Sequence, residues 1–131
     1  MQMLQPDGWA PPRGYAHGVV ARGRLVVLAG QIGWNPVTSA FETDDFAGQC
    51  RQALANVAGL LADAGATPAH VVRLTWFITD REAYLDARRP VGEAYRALFG
   101  KHYPAMSVVV VAGLIEARAQ VEIEATAVIP E

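Results

Sequence analysis

The chain has 131 residues, 52% hydrophobic and 18% charged, with a formal net charge of −2 and a pI near 5.9. That balance excludes a broad basic surface for nucleic acid, and the length predicts one domain, residues 1–131, with a core of its own. Charged residues fall below the roughly 25% of an average soluble domain, so some apolar surface is expected to be covered by another subunit.

Met1–Gly14 is rich in Pro and Gly, and residues 1–13 read as an extended N-terminal arm. It lacks the charged-then-apolar pattern of a signal peptide. His17–Ala21 and Leu25–Ala29 read as two strands joined by a tight turn at Arg22-Gly23. Gly30–Glu42 reads as a loop. Thr43 is the expected N-cap of a helix, with Asp44 and Asp45 in its first turn. Phe46, Cys50, Ala53, Leu54, Val57, Leu60, Leu61 and Ala64 recur at helical spacing until Gly65. Cys50, the single cysteine, lies on that apolar stripe and is expected to be a small buried hydrophobe rather than a nucleophile. It forms no intrachain disulfide and fits a reducing, cytoplasmic compartment.

Thr67-Pro68 caps a single turn. Val72–Ile78 alternates as a strand, with Val72, Leu74, Trp76 and Ile78 on one face. Asp80 caps a short helix through Ala87, and Pro90 opens another, Pro90–Phe99, closed by Gly100. Ser107–Ala112 is apolar on both faces and is expected to be covered on both. Its longest apolar continuation, Val108–Ile115, is far short of the ~20 residues of a membrane helix, so no membrane partner is expected. Val121–Val128, expected to lie beside that strand, alternates, with Glu122, Glu124 and Thr126 on the polar face. Glu122 and Glu124 lie about 6.5–7 Å apart along the strand, where carboxylates can polarise a water or simply face solvent.

The order is β-β-α-β-α-β-β. The fold class is therefore α+β, a mixed sheet with two helices packed on one face and the other face left for another subunit. His17, His70 and His102 lack metal-ligand spacing, and no metal is expected. There is no phosphate-cradling glycine loop.

Six stretches together resemble the Rid/YjgF family of reactive-intermediate (enamine/imine) deaminases. They are G-Y-A-H-G-V at 14–19, L-A-G-Q-I-G-W-N-P-V-T at 28–38 and Q-C-R-Q-A-L-A-N-V at 49–57. V-V-R-L-T-W-F-I-T-D at 71–80, H-Y-P-A-M-S-V-V at 102–109 and V-E-I-E-A-T-A-V at 121–128 complete the set. The resemblance implies a chorismate-mutase-like subunit, a homotrimer with inter-subunit clefts, a small-molecule substrate or ligand and no cofactor. It carries Glu122 over as the acid that positions the attacking water, with Tyr15, Gly30 and Gln31 beside it. In deaminating members an arginine that grips the substrate carboxylate follows the P-A of the penultimate strand. Here that residue is Met106. Ala29 stands where a hydroxyl residue often precedes G-Q, and Arg13-Gly14 replaces the family's Gly-Pro.

Two readings follow. One is hydrolysis of imine intermediates to a carbonyl compound and ammonia, with a non-standard substrate because Met106 offers no guanidinium fork. The other is a non-catalytic trimer that binds a small metabolite in the same cleft, with Met106 and Trp34 as apolar lining. Arg13 or Arg88 would be the substitute anchor in the first. The ribonuclease label attached to some members fits poorly with the net negative charge.

Overall fold

The computed structural model describes residues 1–131. Ten elements follow in chain order. They are β1 (Gln2–Leu4), β2 (Gly18–Val20), β3 (Arg24–Ile32), α1 (Phe46–Asp63), a 3₁₀ turn (Pro68–His70), β4 (Val71–Ile78), α2 (Arg81–Asp86), α3 (Arg88–Phe99), β5 (Ala105–Val110) and β6 (Val121–Ile129). The expected α+β class with a mixed sheet is what forms. β6 runs antiparallel to β3 and to β4, β4 and β5 run parallel, and the spatial order is β3-β6-β4-β5.

Three strand expectations need correction. The two early strands do not form a hairpin. β2 pairs instead with β1 of the N-terminal arm, Met3 opposite Val19, while β3 pairs with β6. Within this chain the strand apolar on both faces is not covered on both. β5 is an edge strand, and Val109 and Val110 are exposed. An unbroken apolar run records how much burial a strand can supply, not whether a neighbour lies in its own chain. Nor does β6 lie beside β5, because β4 runs between them.

The alternation in β6 is correct in detail. Val121, Ile123 and Ala127 are fully buried, while Glu124 is exposed. Leu74, Trp76 and Ile78 of β4 point the same way, into a core closed by α1 and α3. Leu54, Val57 and Leu61 fill the α1 side completely. The opposite sheet face carries exposed Leu25 and Val27. No helix is long and apolar enough to cross a membrane.

Helix ends follow local chemistry. Asp45, not Thr43, caps α1, its carboxylate accepting from the Gly48 N–H at 2.9 Å. Thr43 accepts from the Asp45 N–H instead, which folds the chain into the cap. Asp80 caps α2 through the Ala83 N–H. α3 starts at Arg88, two residues before Pro90. Proline is tolerated there because first-turn N–H groups have no intrahelical acceptor. Gly100 closes α3 at φ 59°.

Cys50 has no exposed surface, as the apolar stripe predicts. Burial, with Asp45 adding to it, pushes its thiol up to about 12 from an ordinary 9.0. A thiol with a raised folded value stays neutral while the unfolded thiol ionises. Its contribution to stability is therefore complete below about pH 9 and is lost as pH rises toward 12. Native protein is expected to resist thiol alkylation at pH 8, with labelling rising only with the unfolded fraction. Rapid stoichiometric labelling without unfolding would contradict that burial.

Candidate functional site

The sequence-predicted residues gather at two places, not one. The first lies where β3 meets β6. Ile32 sits opposite Glu122, and Gln31 opposite Ile123. Between Leu28 and Gln31 the register shifts, a bulge formed by Ala29 and Gly30. Bulges re-aim side chains. Here the Gln31 amide turns back to donate to the Ala29 carbonyl at 3.1 Å. Gly30 is held against the Glu122 side chain so closely that a Cβ would fall on the carboxylate. Glycine is required there by close approach. Glu122, half-buried, alternates with fully buried Val121 and Ile123. Its carboxylate therefore stands on the open sheet face, away from the helices.

The second place is the start of β5. Ala16 runs parallel to Ala105 and its N–H donates to the Pro104 carbonyl at 2.9 Å. That pairing brings the arm across β5. Arg13 and Tyr15 thus line one recess with Tyr84, Met106 and Val108. Tyr15 also meets His17 edge-on at 5.5 Å, and His17 meets Trp9 at 5.2 Å. Met106 packs against the core beside its register partner Leu74. It therefore faces the helix side of the sheet.

Glu122 and Met106 occupy opposite faces. Through Phe77 and Val109 their positions are two strands and three residues apart, roughly 14 Å at standard sheet spacings. One amino-acid-sized molecule cannot touch both within one chain. Trp34 lies nearer Glu122 than Met106 in the sheet framework. It follows β3, and its ring lies 5.9 Å from Phe41, which carries the Arg118 guanidinium over its face. It is not among the residues lining the Met106 recess. Glu124, one step along the open face, lines a small recess with Arg73 and Thr75.

A second recess adjoins the Tyr15 side, sharing Gly14, Tyr84 and Met106 with it. It runs beneath α3, where Arg88, Gly92, Tyr95 and Arg96 of the helix meet Trp76 and Tyr103. Tyr95 stacks on Tyr103 at 5.4 Å and donates its hydroxyl to the His102 carbonyl at 2.6 Å. Burial raises the Tyr95 phenol, and neighbouring Tyr103 raises it further. Burial also raises Tyr84, with Cys50 adding to it and Arg88 partly offsetting it. Of the arginines here only Arg88 had drawn notice in the sequence.

Two positioning residues were missed as well. Gln49 of α1 is fully buried. Its amide donates to the Thr43 and Arg118 carbonyls at 3.1 and 3.0 Å and accepts from the Gln120 N–H at 2.9 Å. Asn56 donates to the Ile32 and Trp34 carbonyls at 3.1 and 3.0 Å. Together they tie the ends of β3 and β6, and hence Gly30 and Glu122, to the helix. The sequence carried the signal: both polar residues fall on the apolar stripe of α1, seven positions apart.

Comparison with known proteins gives one consistent assignment. The family model described as Endoribonuclease L-PSP matches residues 7–129. The 2-iminobutanoate/2-iminopropanoate deaminase of Salmonella typhimurium is 37% identical over 117 residues, 87% of this chain and 86% of that protein. Among solved structures, the Rid family protein YyfB of Yersinia pestis, of unknown function, superposes with a TM-score of 0.85. Its identity is 33%, with 98% of each chain covered. Escherichia coli TdcF with bound serine superposes with a TM-score of 0.69 at 32% identity, covering 98% of this chain and 99% of that one. Sheet order, the Gly30–Glu122 contact and the match over residues 7–129 agree, and the chain belongs to the Rid/YjgF family, the Endoribonuclease L-PSP family.

Proposed function

We propose that this chain is an imine deaminase-like hydrolase that works as a homotrimer in the cytoplasm, with each active cleft built from two neighbouring copies. The observation that carries this reading is the Glu122 carboxylate held against the Gly30 bulge on an open sheet face. The separation of Glu122 from Met106 and Tyr15 supports a shared cleft, since one copy offers the acid and another the Tyr15 recess. The exposed Leu25, Val27, Val109 and Val110 supply apolar surface for such an assembly.

The chemistry follows from the acid. An enamine first tautomerises to its imine, R₂C=NH. Glu122 orients a water and accepts a proton as oxygen bonds to the C=N carbon. The proton passes to nitrogen, giving a carbinolamine; its O–H proton then moves to the amine as the C–N bond breaks, and a carbonyl compound and ammonia leave. The backbone at Gly30 and Gln31 sits beside the reacting atoms, where only a glycine admits the carboxylate. Tyr15 closes the cleft from the neighbouring copy. Relatives at this level of identity bear the name 2-iminobutanoate/2-iminopropanoate deaminase, and serine in TdcF sets the ligand size. Met106 favours a substrate other than theirs, or the metabolite-binding reading, because a thioether offers no fork to a carboxylate.

The test generates imines in place with an amino-acid oxidase and follows their capture by semicarbazide. Hydrolysis by the protein is expected to lower semicarbazone formation for at least one imine class, in proportion to protein concentration. If small, branched and aromatic imines all decay at the background rate, the hydrolase reading fails and the metabolite-binding one replaces it.

A further inference from the structure

We propose that the recess beneath α3 binds a small carboxylate bearing an aromatic ring, with its anion held by Arg88 and Arg96. The inference rests on reading this cleft as the substrate site. It names the substrate class as ring-bearing imino acids and moves the carboxylate anchor from position 106 to α3.

Arg88, Gly92 and Arg96 recur every fourth residue of α3, so they share one helix face. All three line the recess. Gly92 gives the arginines room. A Cβ placed there would come 3.2 Å from Arg96 Nη1, so the Arg96 guanidinium lies back over Gly92. Neither arginine has a carboxylate partner. The ion pairs of the chain are Arg81–Glu82, Arg89–Glu93 and Arg118–Asp44. Arg88 spends its Nε on the Leu85 carbonyl at 3.0 Å, and that leaves both terminal nitrogens free to donate. Two guanidinium groups without counter-charge, over one recess, form an anion site in which planar forks match a carboxylate.

Below them the lining changes from charge to rings. Trp76, Tyr95, Tyr103 and Met106 form the walls. The cavity is ≈170 Å³, close to the roughly 150 Å³ that accepts a benzene molecule. A methionine beside aromatic rings is an adaptable wall for another ring. The indole N–H of Trp76 is the one buried side-chain donor without an acceptor, and such an orphan calls for a partner. An acceptor atom at the base of the recess would provide it. Met106 is thus a ring contact, and its lack of charge is compensated on α3.

The experiment is an equilibrium titration of full-length protein with phenylacetate, its neutral analogue phenylacetamide, and acetate. Wild type is expected to bind phenylacetate about tenfold or more tightly than either of the others, the size of effect that charged hydrogen bonds give. In R88A/R96A that preference over phenylacetamide should shrink to less than about threefold. Arg22→Ala, an exposed arginine elsewhere, should leave it intact. Thermal melts confirm folding, and the arginines are exposed enough for the variants to fold. Equal binding of phenylacetate and phenylacetamide overturns the anion site. Equal binding of phenylacetate and acetate overturns the ring recess, and so does no binding of either aromatic compound. Glu122→Gln separates this inference from hydrolysis. Phenylacetate binding that survives in it while no imine is hydrolysed by wild type sinks only the hydrolase reading. Imine hydrolysis with no phenylacetate preference sinks only the α3 anchor.

Discussion

Replacing Glu122 by Gln is expected to slow imine hydrolysis by roughly 10²–10⁴-fold, the range a positioned acid–base group supplies. The substitution keeps the size and planarity of the side chain, so its packing on Gly30 survives. What it removes is the ability to accept a proton from water. Glu122 makes no ion pair, and its side chain faces away from the core. Stability should therefore change by no more than about 0.5 kcal/mol. The expected signature is a fall in kcat with little change in ligand affinity. Undiminished turnover in the Gln variant would remove Glu122 from the mechanism. A fall in affinity alone would recast it as a binding residue.

The parts of this fold that were legible in the sequence are those set by local period. The alternation of β6 and the stripe of α1 each fix which residues face the core. The caps of α2 and α3 are legible in Asp80 and Gly100, because N-caps and left-handed glycines act within one turn. Pairing was less legible. Gly18–Val20 could extend either a hairpin with β3 or a ribbon with the arm, and three residues give no register to decide it. β5 looked central because Val108–Val111 is unbroken, yet only tertiary order decides which strand becomes an edge.

The site was half legible for the same reason. Gly30, Gln31 and Glu122 are named by motif, and Gly30 and Glu122 do meet. Their distance from Met106 could not be read, since it depends on β4 lying between β6 and β5 and on which face each side chain takes. The Arg88–Gly92–Arg96 spacing was visible in the sequence. Tyr95 is local to that helix, but nothing local said that Trp76 and Tyr103 lay beneath it. Gln49 and Asn56 interrupt an apolar stripe, and an interrupted stripe is a readable sign of buried polar work.

Gln49→Leu is expected to be among the most damaging single changes for stability. Leucine nearly matches the volume, so no large cavity opens. The loss is of three hydrogen bonds in a site with no solvent access. The Gln120 N–H and the Thr43 and Arg118 carbonyls are left to find other partners. A buried group left unsatisfied costs about 1–3 kcal/mol, and water reaching one of the loop carbonyls lowers the total, so roughly 2–5 kcal/mol is expected. For a chain of this size that lowers Tm by about 10 °C or more. Activity should fall as well, because Gln120 lies two residues before Glu122 and fixes the start of β6. A Gln49→Glu variant separates geometry from volume. It keeps the acceptor for Gln120 but turns the donors toward Thr43 and Arg118 into an acceptor facing two carbonyls. It should therefore destabilise at least as much as leucine at neutral pH. A Tm within about 2 °C of wild type for Gln49→Leu would show that the Arg118–Asp44 pair, at 2.9 Å, holds these loops without the buried amide. Glu122 would then owe its position to the sheet register alone.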